Sequence, residues 1–310
     1  MTARARALAP SGDQTHVIVA DGEDPWVISH KGSYYYCTVD RLKKKILISK
    51  SDSLNKMGTA PLVEVYPANL NDLPEYIEIW SPELHFIDGK WYIYFALYDG
   101  NASQERINVL VGASGDPQGQ YIFKGKLKVE TDRWAIDGTV LEMPDGEKYF
   151  LWSGWDGDTN ESQNIYIAGM SNPWTIASDR VCISRPDYDW ERNGYPYINE
   201  GPQALINKDK VFIIYSASGS WTDDYCLGQL TYLGGDPLNP ASWRKEPQPV
   251  FQKTDTIFAP GHCSFVKDEN GRDWIIYHAA RLSGAGWARQ IRAKPFDWNP
   301  DGSPDFGKPL

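Results

Sequence analysis

Residues 80–95 read WSPELHFIDGKWYIYF. Two short apolar runs flank Asp88-Gly89-Lys90, and Asp-Gly between alternating hydrophobic residues is the strongest short-range hairpin signal a sequence carries. The pattern returns four more times. Asp24-Pro25-Trp26-Val27 leads through Lys31-Gly32 into Tyr34-Tyr35-Tyr36, and Asp137-Gly138-Thr139-Val140 leads through Pro144-Asp145-Gly146 into Tyr149-Phe150-Leu151. Glu200-Gly201-Pro202-Gln203 precedes the run Val211 to Tyr215, and Gly261-His262-Cys263-Ser264 precedes Trp274 to Tyr277. With Pro25, Pro82, Gly138, Pro202 and His262 taken as equivalent, the steps are roughly 56 to 64 residues, within the range of repeat architectures.

Each repeat reads as four strands. The first opens at His16 to Val19 and ends over Ser51 to Gly58; later units carry Ile107 to Val111, Ile165 to Ala168, Leu227 to Tyr232 and Gln290 to Ala293 as third strands. Turns such as Gly115-Asp116-Pro117 and Gly234-Gly235-Asp236-Pro237 supply the backbone angles at which strands reverse. Boundaries between units fall near residues 70, 131, 190 and 253, and no long helical period occurs. Four-stranded sheets that cannot bury both faces alone are stabilised by stacking radially around a channel. The chain is therefore expected to be all-β: a five-bladed β-propeller of four-stranded antiparallel blades, a single domain over residues 1–310.

Composition narrows the partners. The net charge of −10 argues against nucleic acid, because a phosphate backbone is held by clustered Lys and Arg. The one basic cluster, Arg41 to Lys45, lies between strands and reads as a solvated hairpin tip. No apolar run reaches the length of a membrane-spanning helix, so a soluble protein that binds no membrane is expected, read as a monomer. Met1 to Gly12 has Arg4 and Arg6 but no apolar core, so it is not a signal peptide as written; the reading is secreted if such a segment was removed and cytoplasmic otherwise. Cys37, Cys182, Cys226 and Cys263 lack CxxC spacing, which argues against zinc and for buried thiols, with one disulfide left open. With 13 Trp and 18 Tyr, the aromatic content exceeds what an aliphatic core needs, and carbohydrate surfaces use such rings.

Chemistry is sought where the repeats agree in position and differ in residue type. Inner strands of a propeller line its channel, so their starts converge at one mouth. Asp24, Asp137 and Glu200 occupy such starts, and an acid is a costly choice in a half-buried strand. For one such acid a turn-capping or ion-paired role is as good a reading; three at repeat-equivalent places favour convergence.

The set Asp24-Pro25-Trp26-Val27, Trp80-Ser81-Pro82-Glu83, Ile136-Asp137-Gly138, Asn199-Glu200-Gly201-Pro202 and Gly261-His262 resembles glycoside hydrolase family 43, over nearly the whole chain. The resemblance implies a five-bladed propeller that cleaves arabinose- or xylose-containing polysaccharides with inversion. It implies Asp24 as general base, Asp137 as the residue that tunes pKa and orientation, and Glu200 as general acid. Ile79 to His85 and Tyr215 to Trp221 look closest to the exo-acting α-L-arabinofuranosidases, which implies release of terminal arabinofuranosyl units from α-1,5-linked arabinan or its oligosaccharides. Ser81 departs from the commoner alanine at what reads as a framework position.

Inverting hydrolysis needs two carboxyl groups about 6.5–9.5 Å apart with a water between, and an acid that keeps its proton near neutral pH. Ionised Asp137 beside Glu200 would raise its pKa by like-charge repulsion. Trp80, Trp155 and Trp221 are candidate sugar platforms, with a core role as the bland alternative. Arg292, with Arg289 as its alternative, resembles the family's substrate-holding arginine. Glu83 reads better as a buried structural carboxylate than as a catalytic one. His262 resembles the histidine that holds a channel cation, usually calcium; no cofactor is required for the chemistry. A β-D-xylosidase, an endo-arabinanase and a non-catalytic carbohydrate-binding propeller are the competing readings. Loops Tyr98 to Glu105, Asp156 to Gln163 and Arg185 to Gly194 set the pocket depth that separates exo from endo action.

Overall fold

The computed structural model of the chain describes residues 16–40, 42–67, 78–98, 100–101 and 103–310. Met1 to Gly12, the boundary near residue 70 and Arg41 of the basic cluster lie outside the described residues. Among the described residues, β-branched and aromatic residues bounded by Gly, Asp and Pro turns give strands almost everywhere, with only short 3-10 turns beside them.

Strand β1 (Val17–Val19) is followed by a four-stranded antiparallel sheet, β2 (Trp26–His30), β3 (Ser33–Val39), β4 (Ile46–Ser51) and β5 (Leu62–Tyr66). A second such sheet holds β6 (Glu78–Ile87), β7 (Lys90–Tyr98), β8 (Arg106–Gly112) and β9 (Tyr121–Lys126). Then come β10 (Ala135–Glu142), β11 (Lys148–Trp155), β12 (Ser162–Asn172), with β13 (Thr175–Ile176) and β14 (Val181–Ser184) both paired to β12. Next are β15 (Tyr197–Asn207), β16 (Lys210–Ala217), β17 (Cys226–Tyr232) and β18 (Trp243–Lys245), joined to the previous group by a short parallel pairing of β12 with β15. The last sheet contains β19 (Phe258–Lys267), β20 (Asp273–Ala280) and β21 (Arg289–Pro295), and a small ribbon, β22 (Asp297–Trp298) with β23 (Pro304–Asp305), ends the chain.

Two assignments from sequence change. The His16 to Val19 stretch does not open the first sheet: β1 pairs with β21, so the start of the described chain completes the last sheet. Ser51 to Gly58 is not the end of the first sheet either. It contains a 3-10 turn, Leu54–Thr59, after which β5 supplies the fourth strand. Apolar Leu54 and Met57 of that turn are buried against the core shared with Tyr34, Tyr36 and Ile291, which is why the turn stays inside the sheet sequence. All four cysteines are free thiols.

The first strands of the groups, β2, β6, β10, β15 and β19, touch in sequence, and β19 returns to β2. Side chains tie neighbours together: Trp26 Nε1 donates to the Leu84 carbonyl at 2.6 Å, the Val27 amide to Ser264 Oγ at 3.1 Å, and Ser153 Oγ to the Asn199 carbonyl at 2.9 Å. Glu83 is such a tie, buried and bonded to His85 and Gln203, which is the structural role read from sequence. The interfaces between groups are filled by large rings, among them Trp91, Tyr94, Phe150 and Phe212, all fully buried.

Candidate active site

Four of the five first strands break their regular pairing near one end. The registers shift between Trp80 and Glu83, Ile136 and Thr139, Glu200 and Gln203, and Gly261 and Cys263. One residue at each shift has a left-handed backbone: Ser81 (φ 46°), Asp137 (55°), Gly201 (54°) and His262 (43°), with Asp24 (46°) just ahead of β2. That conformation costs a non-glycine residue roughly 1–2 kcal/mol, and such kinks re-aim side chains at functional sites. At Gly201 the choice of residue is enforced twice, since a Cβ there would also press on the His262 ring at 3.2 Å.

The kinks define the true equivalence: Asp24, Ser81, Asp137, Gly201 and His262. His262 therefore matches Asp24 and Asp137 rather than Pro25, and Glu200 stands one residue before the kink. The three acids are not strictly equivalent, but the geometry brings them to one charged cluster around His262.

Asp24 is held from four sides. Ser81 Oγ donates to its Oδ2 at 3.0 Å, His262 Nδ1 lies 3.1 Å from Oδ1, and the Arg289 guanidinium lies 3.7 Å from Oδ1. Its own amide donates to His278 Nδ1 at 3.1 Å. Burial pushes the Asp24 carboxyl upward, but His262, His278 and Arg289 together outweigh it and hold Asp24 well below the usual carboxylate range. Burial drops His278 to about 3 and its Nδ1 accepts the Asp24 amide, so this neutral ring anchors the Asp24 backbone. The cations are His262 and Arg289. Burial opposes the charge on His262, yet Asp24, Asp137 and Glu200 together raise its pKa.

Glu200 is the opposite case. Burial, and then the negative charge of Asp137, raise its carboxyl to about 7, although Tyr225 donates to Oε1 at 2.8 Å. Asp137, buried and raised by burial and by Asp24, accepts the Gly201 amide at 2.9 Å. The chain thus ties Asp137 directly to the residue after Glu200. Behind Glu200, the neighbouring Asn199 is fixed by Ser184 (2.7 Å) and by Glu191 (3.0 Å), and Glu191 is itself fully buried against Lys245 at 2.7 Å and Tyr215 at 2.9 Å. The Arg185 to Gly194 loop is thereby anchored to the strand that carries Glu200.

Other sequence-derived candidates divide. Trp80 stacks on Tyr98 (6.0 Å) and lines the cleft beside Asp24 with Ser81 and Lys43. Trp155 is buried, its ring stacked at 4.9 Å on Trp134, so it forms part of the wall and not an open platform. Trp221 is exposed and meets Trp287 edge to face at 6.4 Å. Arg292 is drawn elsewhere: its Nε donates to the Leu310 carbonyl at 2.5 Å, whereas Arg289, at the start of the same strand, is the arginine beside Asp24. The three-residue offset along β21 explains the exchange, since an odd offset on a strand puts the two side chains on opposite faces.

The basic cluster is not simply a solvated tip. Lys43 pairs with Glu23 at 2.9 Å at the cleft and sits over the Trp80 ring at 5.7 Å. Ser81, read as framework, touches the cluster directly. Tyr225 and His278 gave no motif at all: Tyr225 stands just ahead of β17 and His278 is a polar residue inside apolar β20, and only folding makes them neighbours of Glu200 and Asp24. The calcium implied by His262 would draw most of its ligands from water. Calcium asks for six to eight oxygens, His262 Nδ1 is engaged with Asp24, and among the described residues no three His, Cys, Asp or Glu are grouped to hold a metal. Among these residues no helix is long and apolar enough to cross a membrane.

An all-β scaffold that gathers around His262 one carboxyl group held low and another pushed up has the equipment of a carboxylate-based hydrolase. The chain belongs to glycosyl hydrolases family 43, whose model matches residues 14–304. It is 34% identical to the extracellular exo-alpha-(1->5)-L-arabinofuranosidase of Streptomyces avermitilis over 97% of this chain and 65% of that protein. Against the protein of the same description from Streptomyces chartreusis it is 34% identical over 84% of this chain and 81% of the relative. The chain thus spans slightly less than two thirds of the length of some curated relatives it matches. The solved alpha-L-arabinofuranosidase from Lactobacillus brevis superposes with a TM-score of 0.85 at 32% identity, covering 95% of this chain and 97% of that one.

Proposed function

We propose that this chain is an inverting exo-acting α-L-arabinofuranosidase that removes terminal units from α-1,5-linked arabinan or arabino-oligosaccharides. Its scaffold is read as one domain, a five-bladed propeller, supported by the cycle of contacts through β2, β6, β10, β15 and β19. The observation that carries the function is the opposite pull on two carboxyl groups gathered around His262, Asp24 held low and Glu200 raised to about 7.

Asp24 is the general base: kept ionised by His262 and Arg289, it accepts a proton from the attacking water. Glu200 is the general acid, and gives its proton to the departing glycosidic oxygen. Asp137 orients the pair through the Gly201 amide and keeps Glu200 protonated by its charge. No covalent nucleophile is involved, so the released sugar has inverted configuration. Arg289 and Trp80 hold the terminal sugar beside Asp24. No step calls on a cofactor, and a secreted setting agrees with the two relatives named extracellular.

The deciding experiment compares an aryl α-L-arabinofuranoside with an aryl β-D-xylopyranoside, with proton NMR on the released sugar. Faster arabinofuranoside turnover with inversion is the expected outcome. Faster xyloside turnover makes the enzyme a β-xylosidase, and retained configuration removes the base-and-acid assignment.

A further inference from the structure

The two carboxyl oxygens of Glu200 have unlike surroundings. Tyr225 donates to Oε1 at 2.8 Å, so that oxygen is covered by a phenol. Oε2 has no hydrogen-bond partner among the described residues, yet it is not one of their sealed, unpaired side-chain atoms, so it is the oxygen left open. Tyr225 itself is fully buried and stands just ahead of β17. No step of the proposed reaction uses its hydroxyl.

The ring is clamped, which fixes where its hydroxyl points. Gly261 makes room for it: a Cβ there would lie 2.3 Å from the Tyr225 ring, far inside contact distance. The His278 ring stacks on it at 5.5 Å with an interplanar angle of 19°, and the Arg289 guanidinium lies over it at 5.8 Å. These are the side chains that hold the backbone and the carboxyl group of Asp24. Tyr225 therefore touches both halves of the site, its ring on the partners of the base and its hydroxyl on the acid. The direction of the hydrogen bond is fixed as well. Burial first, and then the charge of Glu200, push the Tyr225 pKa well above the ordinary phenol value, so it keeps its single proton. The Ser216 hydroxyl acts on the phenol as a donor, while Ser216 Oγ accepts the His262 amide at 2.8 Å. With the acceptor side of the phenol taken by Ser216, the Tyr225 proton goes to Oε1, and a protonated Glu200 carries its own proton on Oε2.

We propose that Tyr225 is a positioning residue for the general acid: it closes Glu200 Oε1 and confines the transferable proton to Oε2. The inference rests on the role proposed above for Glu200 and deepens it. In the step, the Oε2–H bond breaks and the proton passes to the glycosidic oxygen, which keeps the electron pair of the breaking C–O bond. Water bonds to the anomeric carbon and gives a proton to Asp24, so Glu200 ends as a carboxylate and Asp24 as an acid. Negative charge grows on Glu200 during the transfer, and the Tyr225 hydrogen bond strengthens with it, because a bond to a charged acceptor is roughly twice as strong as a neutral one. A departing aryl group that needs no proton gains little from either effect.

The test uses the purified full chain, short α-1,5-arabino-oligosaccharides and an aryl α-L-arabinofuranoside with an activated leaving group. Tyr225→Phe keeps the ring and removes only the hydroxyl. Its kcat should fall about thirtyfold on oligosaccharides and no more than about threefold on the activated aryl glycoside, with KM little changed on either. In the Glu200→Gln background there is no proton to place, so adding Tyr225→Phe should cost no further factor on oligosaccharides. Ser216→Ala frees the phenol to accept a proton from Oε1 and should reproduce the selective loss at a smaller factor, which keeps the question answerable if the phenylalanine variant does not fold. Unchanged oligosaccharide turnover, equal loss on both substrates, a loss confined to KM, or losses that multiply in the double variant make Tyr225 a packing residue and overturn the proposal. A Glu200→Gln variant that is itself as slow on the aryl glycoside as on oligosaccharides overturns instead the parent role of Glu200, so the two failures are distinct.

Discussion

Asp24 and Glu200 are both acidic side chains in the central cluster, and they are held in opposite states. Asp24 has His262 and Arg289 within 3.1 and 3.7 Å and stays ionised; Glu200 has a phenol at 2.8 Å and the charge of Asp137, and keeps its proton up to about 7. The aromatic walls differ too. Trp134 and Trp155 are buried in a packed stack, while Trp221 and Trp287 are exposed, and Trp287 lines a cleft with Glu23, Lys43 and Arg289 beside Asp24. The proposed roles follow surroundings and not residue type: a partly open, cationic corner suits the proposed base. The more buried corner, with a phenol and a like charge beside the carboxyl, suits the proposed proton donor.

The sharpest way to break this comparison is to remove each carboxylate in turn. Asp24→Asn should cost about a thousandfold or more in kcat on every substrate, because water must be activated whatever group departs. Glu200→Gln should cost as much on arabino-oligosaccharides but far less on an aryl glycoside whose leaving group needs no proton. Rates on the two substrate types read the difference. Rescue of the Asp24 variant by activated leaving groups would reverse the assignment.

A second effect is on pH. Glu200 must be protonated, so kcat/KM on oligosaccharides should fall as pH rises through about 7, while the acid limb, set by ionisation of Asp24, lies well below the ordinary carboxylate value. The three carboxyl groups titrate together, so the profile belongs to the cluster. Asp137→Asn removes the like charge that raises Glu200, and the alkaline limb should move to lower pH. A limb that stays in place in this variant would show that burial alone sets the Glu200 proton.

What the sequence disclosed follows the same division. The hairpins, the repeat and the three acids were legible because they recur or stand out locally: Asp-Gly turns, alternating strands, and carboxylates in strands that disfavour them. Whatever depends on neighbours remote in sequence was not. Arg289 and Arg292 share one strand, and only the fold shows that the first reaches Asp24 while the second meets Leu310. Trp155 and Trp221 look alike in sequence, yet one is stacked inside the wall and the other is exposed. The pairing of β1 with β21, 277 residues apart at His16 and Ala293, leaves no local signature. Nor does the buried Glu191–Lys245 pair that braces Asn199.

The smallest effect, and the one that best resolves the Asp24 corner, concerns Ser81. Its hydroxyl has one proton and lies between two carboxyl groups, donating to Asp24 at 3.0 Å and also acting on Asp137. A hydrogen bond to a charged group contributes about 1.5–3 kcal/mol, and part of that is returned when the pocket relaxes, so Ser81→Ala should lower kcat roughly tenfold with KM little changed. The backbone offers a control. Ser81 has φ 46°, which glycine adopts without strain, so Ser81→Gly should unfold at a temperature no lower than Ser81→Ala. If the hydroxyl aims Asp24, both variants should be equally slow although their stabilities differ. If Ser81 serves only to hold the kink, the glycine variant should be the faster of the two. Thermal unfolding and kcat on the aryl arabinofuranoside, measured side by side, separate these outcomes, and full activity in either variant would show that His262 and Arg289 position Asp24 without help.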